Sequence, residues 1–165
     1  MDCLINELVT VLGLEVLLYE EILKISKDKT TVIVEGKVSE LEKIIKSEQS
    51  MILEMSKVEN QREILINKIS KLLNQKTESL TLSFLIENCG RDQGEKLKEK
   101  QMALGDILKE LGSVNDMNSQ LIRSSLDYIN FSLNLFAGSD SQDNNYGLEG
   151  EKSDTKAKSM FDIKI

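Results

Sequence analysis

Histidine, tryptophan and proline are absent from this 165-residue sequence, and only two cysteines occur. Without histidine there is no Ser-His or Cys-His nucleophile pair, no histidine-liganded zinc and no Glu-x-x-His di-iron bundle. Cys3 and Cys89 stand far apart in no paired motif, so each reads as a small, inert hydrophobe in a reducing compartment rather than half of a disulfide. Carboxylates are plentiful, yet none falls into a catalytic constellation. The sequence argues against an enzyme and requires neither cofactor nor metal.

Basic residues are in deficit, 21 against 28 acidic, for a formal net charge of -7. Nucleic acid is excluded as a ligand on that ground, because phosphate binding needs a concentrated basic surface. Long apolar runs are missing too. The longest, Leu8 to Tyr19, is broken by Thr10 and Glu15 and falls short of the roughly 18 to 20 residues of a membrane span. Asp2 and Glu7 stand where a signal peptide carries positive charge, and no small-residue cleavage site follows, so the expected location is cytoplasmic, with no stable membrane insertion.

What the sequence does contain is leucine, isoleucine, glutamate and lysine in helical periodicity, with aromatics at only 4%. Leu4, Leu8, Val11, Leu12, Ile22 and Ile25 pattern a first helix over about residues 2–27, with Asp2 able to cap it. The β-branched run Thr30 to Val34 favours extended structure but has no strand to pair with, and reads as a connector ending at Gly36. A second helix spans about residues 39–73, opened by a capping box of Ser39 and Glu42. Its apolar stripe is broader than a two-row seam, so it touches two neighbours. Glu48 and Arg62 lie centrally on that stripe and are expected to pair with polar groups on other helices. A short apolar helix over about residues 80–86 packs across one end, and a last long helix runs from about Asp92 to Phe136. From Gly138 the composition turns to Ser, Asp, Asn, Gly and Lys, too polar to offset its ordering entropy. The expected architecture is all-α. It is an elongated antiparallel helical bundle or coiled coil of three long helices plus a short one (1–137), with a flexible C-terminal tail (138–165).

The last helix carries two apolar rows. Leu97, Leu104, Leu108, Leu111, Ile122, Leu126, Ile129, Leu133 and Phe136 form the expected core row. Leu121, Tyr128, Phe131 and Leu135 form a second row on a flank, late in the helix. That second row is covered either by the first helix or the chain's own tail, or it is a docking surface for another protein's helix. Asn115 and Asn118 interrupt the core row, and buried asparagine in a coiled bundle fixes register or partner number.

Taken in order and spacing, several features resemble the FlgN family of cytoplasmic chaperones of bacterial flagellar type III export. They are Leu17, Tyr19 and Glu20; Val34-Glu35-Gly36 leading into Leu41; Glu48 and Arg62; Asn115-x-x-Asn118-x-x-Leu121; and Tyr146-Gly147-x-x-Gly150 followed by Phe161. The resemblance implies a chaperone that holds the hook–filament junction proteins FlgK and FlgL through their C-terminal segments and delivers them to the export gate protein FlhA. Carried over by position, Leu121, Ile122, Leu126, Tyr128 and Ile129 contact substrate or gate, with Phe131 and Leu135 completing the row and Tyr146, Gly147 and Phe161 of the tail as secondary contacts. The tail is expected to cover the same face when no substrate is bound. Two other readings compete. A structural coiled-coil spacer predicts a homodimer through the heptads, and a membrane-surface protein is opposed by the acidic polar face of the first helix, Glu7, Glu15, Glu20 and Glu21.

Overall fold

Because no proline interrupts them, the apolar residues of the N-terminal fifth sustain one helix, α1 (Asp2–Val34). It starts with Met1 at the cap position and Asp2 in its first turn, with no side-chain cap. It also runs through Thr30–Val34, which the sequence patterns as a connector. β-Branched residues lose only a few tenths of a kcal/mol of helix propensity each, about 0.5 kcal/mol. Val32 and Ile33 are buried here, and burial of such a side chain contributes about 1.5–3 kcal/mol, so packing overrides propensity. The helix stops at Gly36, whose φ of +66° lets its N–H reach the Ile33 carbonyl at 3.1 Å while the Lys37 N–H reaches Val32 at 3.1 Å. This double closure is a Schellman motif.

That turn sets the start of α2 (Val38–Leu73) one residue ahead of the expected one. Lys37 takes the cap position and Ser39 falls inside the first turn, so the capping box of Ser39 and Glu42 does not form. At its far end Asn74 adopts the left-handed conformation with φ 53°. The Ser70 hydroxyl donates to the Gln75 carbonyl at 2.6 Å there. A 3₁₀ turn (Thr77–Ser79) leads to α3 (Leu82–Asn88), capped by Thr81, whose hydroxyl accepts the Phe84 N–H at 3.2 Å. The last helix is α4 (Arg91–Ser139).

The computed structural model describes residues 1–139, and among them there is no strand. The chain divides into two units, Met1–Leu126 and a second that begins at Asp127. In the first, Arg62 pairs with Glu15 and Glu48 with Lys29, so α2 runs antiparallel to α1. Gln93 stands beside Asp2 and Asn118 beside Ser26, offsets of 91 and 92 residues, so α4 runs parallel to α1. The three long helices therefore go up, down and up. The apolar core lies at the α3 end, where Ile5, Leu8, Ile69, Leu85 and Leu97 are at most 1% exposed. α3 can lie against the first turn of α4 because Gly94 has no side chain; a Cβ there would stand 3.0 Å from the Ile86 carbonyl oxygen.

In the second unit, the described residues 127–139 are helical, and their large apolar side chains face solvent to a high degree: Tyr128 is 72% exposed and Phe131 61%. The expected tail residues from 140 onward lie outside the described residues.

Candidate functional site

Toward the other end of the first unit the core changes character. Asn118, 2% exposed, donates from Nδ2 to the Ser26 carbonyl at 2.9 Å and accepts the Thr30 hydroxyl on Oδ1 at 2.7 Å. One turn away Lys29 Nζ bonds both carboxylate oxygens of Glu48, at 2.8 and 2.9 Å, with both side chains largely buried. A polar layer thus ties α1 to α2 and α4. Asn118 is buried and bonded as expected of it, whereas Asn115, expected beside it in the core row, is exposed, and Glu48 finds the partner on another helix that the sequence required. Arg62 does so as well, donating from Nε to the buried Glu15 carboxylate at 2.7 Å. Among the described residues, no buried side-chain polar atom lacks a partner.

Between α2 and α4, on the floor of α1, runs an apolar trough. One cleft of about 490 Å³ is lined by Leu8 and Leu12 below, by Met55 and Ile66 on α2, and by Leu104 and Leu108 on α4. A second, of about 410 Å³, continues it past Ile22 and Leu111 to Asn118 and Ile122. Tyr19, Ile52 and Met55 line both, which makes the trough continuous. Ile52 is 55% exposed and Leu108 46%. Its charged lining consists of the Glu15–Arg62 and Lys29–Glu48 pairs and of Glu59, whose Oε1 lies 3.5 Å from Arg62 Nη2 at the open rim. Burial raises the Tyr19 phenol pKa above its usual value, and the negative charges of Glu15 and Glu59 push it in the same direction. The phenol is therefore a neutral donor at physiological pH.

The core row expected on α4 is a core row only in part. Leu97 is fully buried and Leu104 half-buried, but Leu108 and every member from Ile122 onward is exposed. Leu108 and Ile122 line the open trough, and past Leu126 the reason is length. At the offset seen between Ser26 and Asn118, Val34, the last residue of α1, stands level with Leu126. α1 supplies a packing partner for α4 only that far.

Of the residues expected to meet a partner, Leu121 is half-buried, and Ile122 lines the end of the trough. Leu126 is exposed at the end of the first unit. Tyr128, Ile129, Phe131 and Leu135 belong to the second unit and are all at least half exposed. Tyr146, Gly147 and Phe161 lie outside the described residues. The trough itself escaped the sequence reading, although its signal was present: Ile52 and Met55 sit on the over-wide stripe of α2, and a stripe wider than its neighbours can cover leaves apolar surface open.

No helix among the described residues is long and apolar enough to cross a membrane, and no cluster of metal-ligating side chains occurs among them. Both thiols are free, and burial raises the Cys89 pKa further from thiolate reactivity. What the arrangement offers is a helical scaffold with open apolar surface.

An all-helical scaffold that exposes apolar side chains along one helix and in one trough defines a protein-binding module of the chaperone kind. The family model described as "FlgN protein" matches residues 1–154, and the chain belongs to the FlgN family. Membership places it among chaperones of flagellar assembly and export, a family of binding proteins for hook-associated proteins rather than of enzymes. The chain is also 29% identical over 148 residues to "Uncharacterized protein YvyG" of Bacillus subtilis (strain 168), covering 89% of this chain and 90% of that one. No solved structure matches it.

Proposed function

We propose that this protein is a cytoplasmic export chaperone for the hook–filament junction proteins FlgK and FlgL. It binds their C-terminal segments, prevents their premature association and delivers them to the flagellar export gate through FlhA. The observation that carries the reading is the exposed late part of α4, where Tyr128 and Phe131 stand 72% and 61% exposed in a chain of family FlgN. An aggregation-prone terminal helix needs an apolar face to lie on, and a soluble carrier must keep the rest of its surface charged. Leu121, Ile122, Leu126, Tyr128, Ile129, Phe131 and Leu135 make contact with substrate or gate, and Tyr146, Gly147 and Phe161 add to it from the segment 138–165. Residues 1–137 act as the chaperone domain.

Calorimetric titration of the full chain with the C-terminal segments of FlgK and FlgL from the same organism tests this. Saturable one-to-one binding is expected, and it is lost in a Tyr128→Ala, Phe131→Ala variant that keeps its helicity. Absence of binding to both segments, with a stable homodimer in its place, overturns the reading in favour of a structural spacer.

A further inference from the structure

The trough of the first unit has a chemistry of its own. Its centre, at Tyr19, Ile52 and Met55, is apolar and open, and from Leu104 to Ile122 its α4 wall measures about 27 Å at helical rise. That is the length of five helical turns, enough to seat a helix of about 18 residues. The charges at its lip are not balanced. Glu15 holds Arg62 and Glu48 holds Lys29, each at 2.7–2.8 Å. Glu59 keeps only the 3.5 Å approach of Arg62, with its side chain 70% exposed. One turn on, Glu63 lines the adjoining cleft with Glu59, Asn60 and Arg62, and makes no ion pair among the described residues. Four carboxylates, Glu15, Glu48, Glu59 and Glu63, therefore line the trough and its adjoining cleft against two cations, Arg62 and Lys29, beside an apolar channel of helical length.

We propose that this trough is a second binding site, and that its occupant is a basic amphipathic helix of a partner protein, laid between Ile52 and Leu108 with lysine or arginine side chains on Glu59 and Glu63. Charge selects this occupant over the others. A second copy of a chain of net charge -7 would bring more carboxylates to the rim. Nucleic acid and anionic lipid are repelled by the same row. A cationic helix gains on both counts: it covers apolar side chains that the fold leaves open, and it supplies the missing counter-charges, which steer encounter and fix orientation.

The test uses the full chain and fluorescence anisotropy with a labelled leucine/lysine helical peptide of about 18 residues, matched to the trough by helical rise, and a twin with glutamate in place of lysine. The expected result is saturable one-to-one binding of the lysine peptide, with the twin weaker by about tenfold or more. The charge reversal Glu59→Lys, Glu63→Lys should invert that preference, and Ile52→Glu should abolish binding of the lysine peptide. Both variants change exposed positions, and unchanged circular dichroism confirms their fold. The Tyr128→Ala, Phe131→Ala variant should bind the lysine peptide as the parent does. The proposal is overturned if charge reversal leaves the preference unmoved, or if binding is lost in the Tyr128→Ala, Phe131→Ala variant. It is equally overturned if Ile52→Glu instead dissolves a dimer of the free chain, which would make a second copy the occupant. Since FlgK and FlgL segments play no part in this assay, its failure is separate from failure of the chaperone reading.

Discussion

Replacement of Asn118 tests whether the polar layer holds the bundle by its hydrogen bonds or by filling space. The Thr30 hydroxyl has one proton and two acceptors in reach, Asn118 Oδ1 at 2.7 Å and the Ser26 carbonyl at 3.2 Å. In Asn118→Ala the hydroxyl turns to Ser26, so neither Thr30 nor the Ser26 carbonyl is orphaned. What is lost is one net hydrogen bond, about 0.5–1.5 kcal/mol, together with the packing of a side chain that is 2% exposed. The expected cost is about 2–3 kcal/mol. Asn118→Leu keeps most of the volume, and the same turn of Thr30 satisfies the remaining polar atoms. Its cost should stay below about 1 kcal/mol, since replacing a satisfied buried polar group by an apolar one of similar shape is close to neutral.

Urea denaturation reads the difference. With a slope of about 2 kcal/mol/M, the alanine variant should lose about 1–1.5 M in midpoint and the leucine variant less than about 0.5 M. A cycle with Thr30→Val should return a coupling of about 0.5–1.5 kcal/mol. Equal costs for alanine and leucine would refute the reasoning, because the amide's directed bonds would then matter and its volume would not. A loss below about 0.5 kcal/mol in the alanine variant would refute the clamp altogether.

Arg62→Ala removes the partner of a buried carboxylate, Glu15. Arg62 is itself 39% exposed, so thermal melts should show a loss of about 1–3 kcal/mol rather than the larger figure of a fully buried pair, with Glu15→Gln, Arg62→Ala partly restoring it. Gly36→Ala strains a φ of +66° with nothing within 4 Å of the new Cβ, so the cost is conformational, about 1–2 kcal/mol by urea denaturation, and Gly36→Asn should cost less. Tyr19 has its folded pKa raised above the ordinary 10.0, so the stability it contributes is complete below the unfolded value and is lost as pH rises through the folded one. Ultraviolet titration of tyrosinate should show a late-ionising phenol that disappears in Tyr19→Phe, and alkaline unfolding of that variant should lose the corresponding pH dependence.

Much of this architecture was legible because it depends on period alone. The stripes of α1, α2 and α4 and the polar break after Leu73 each follow from residue spacing and turn chemistry local to the chain. Glu48, Arg62 and Asn118 were recognisable as polar members of apolar rows. Their partners Lys29, Glu15 and Ser26 were not, because a pairing across helices depends on register between helices, which periodicity within each helix does not contain. The expected connector at Thr30–Val34 failed for the same reason. Its β-branched residues were weighed by propensity, whereas Val32 and Ile33 are decided by what lies across from them. The core row of α4 failed at Leu108 and Ile122 because they line the open trough, and further on through a mismatch of lengths: periodicity tells which side chains share a face and is silent on whether a neighbouring helix covers them. For a binding protein that silence falls on the surface proposed to meet its partner.

The division of labour inside the first unit suits a carrier. Leucine and isoleucine at the α3 end, nearly free of solvent, supply the dense apolar packing that resists local opening. Around Ser26, Lys29, Glu48 and Asn118 the same three helices are joined by hydrogen bonds and one ion pair. A polar layer of this kind contributes little net stability, yet it penalises wrong register heavily, because a shifted helix would bury those groups unpaired. The layer therefore fixes where α2 and α4 stand without drawing them together over the trough. An apolar layer at that level would close α2 onto α4 and hide Ile52, Met55 and Leu108. Specificity without closure is what leaves the surface open, and it gives a reason for polar residues to interrupt the apolar rows.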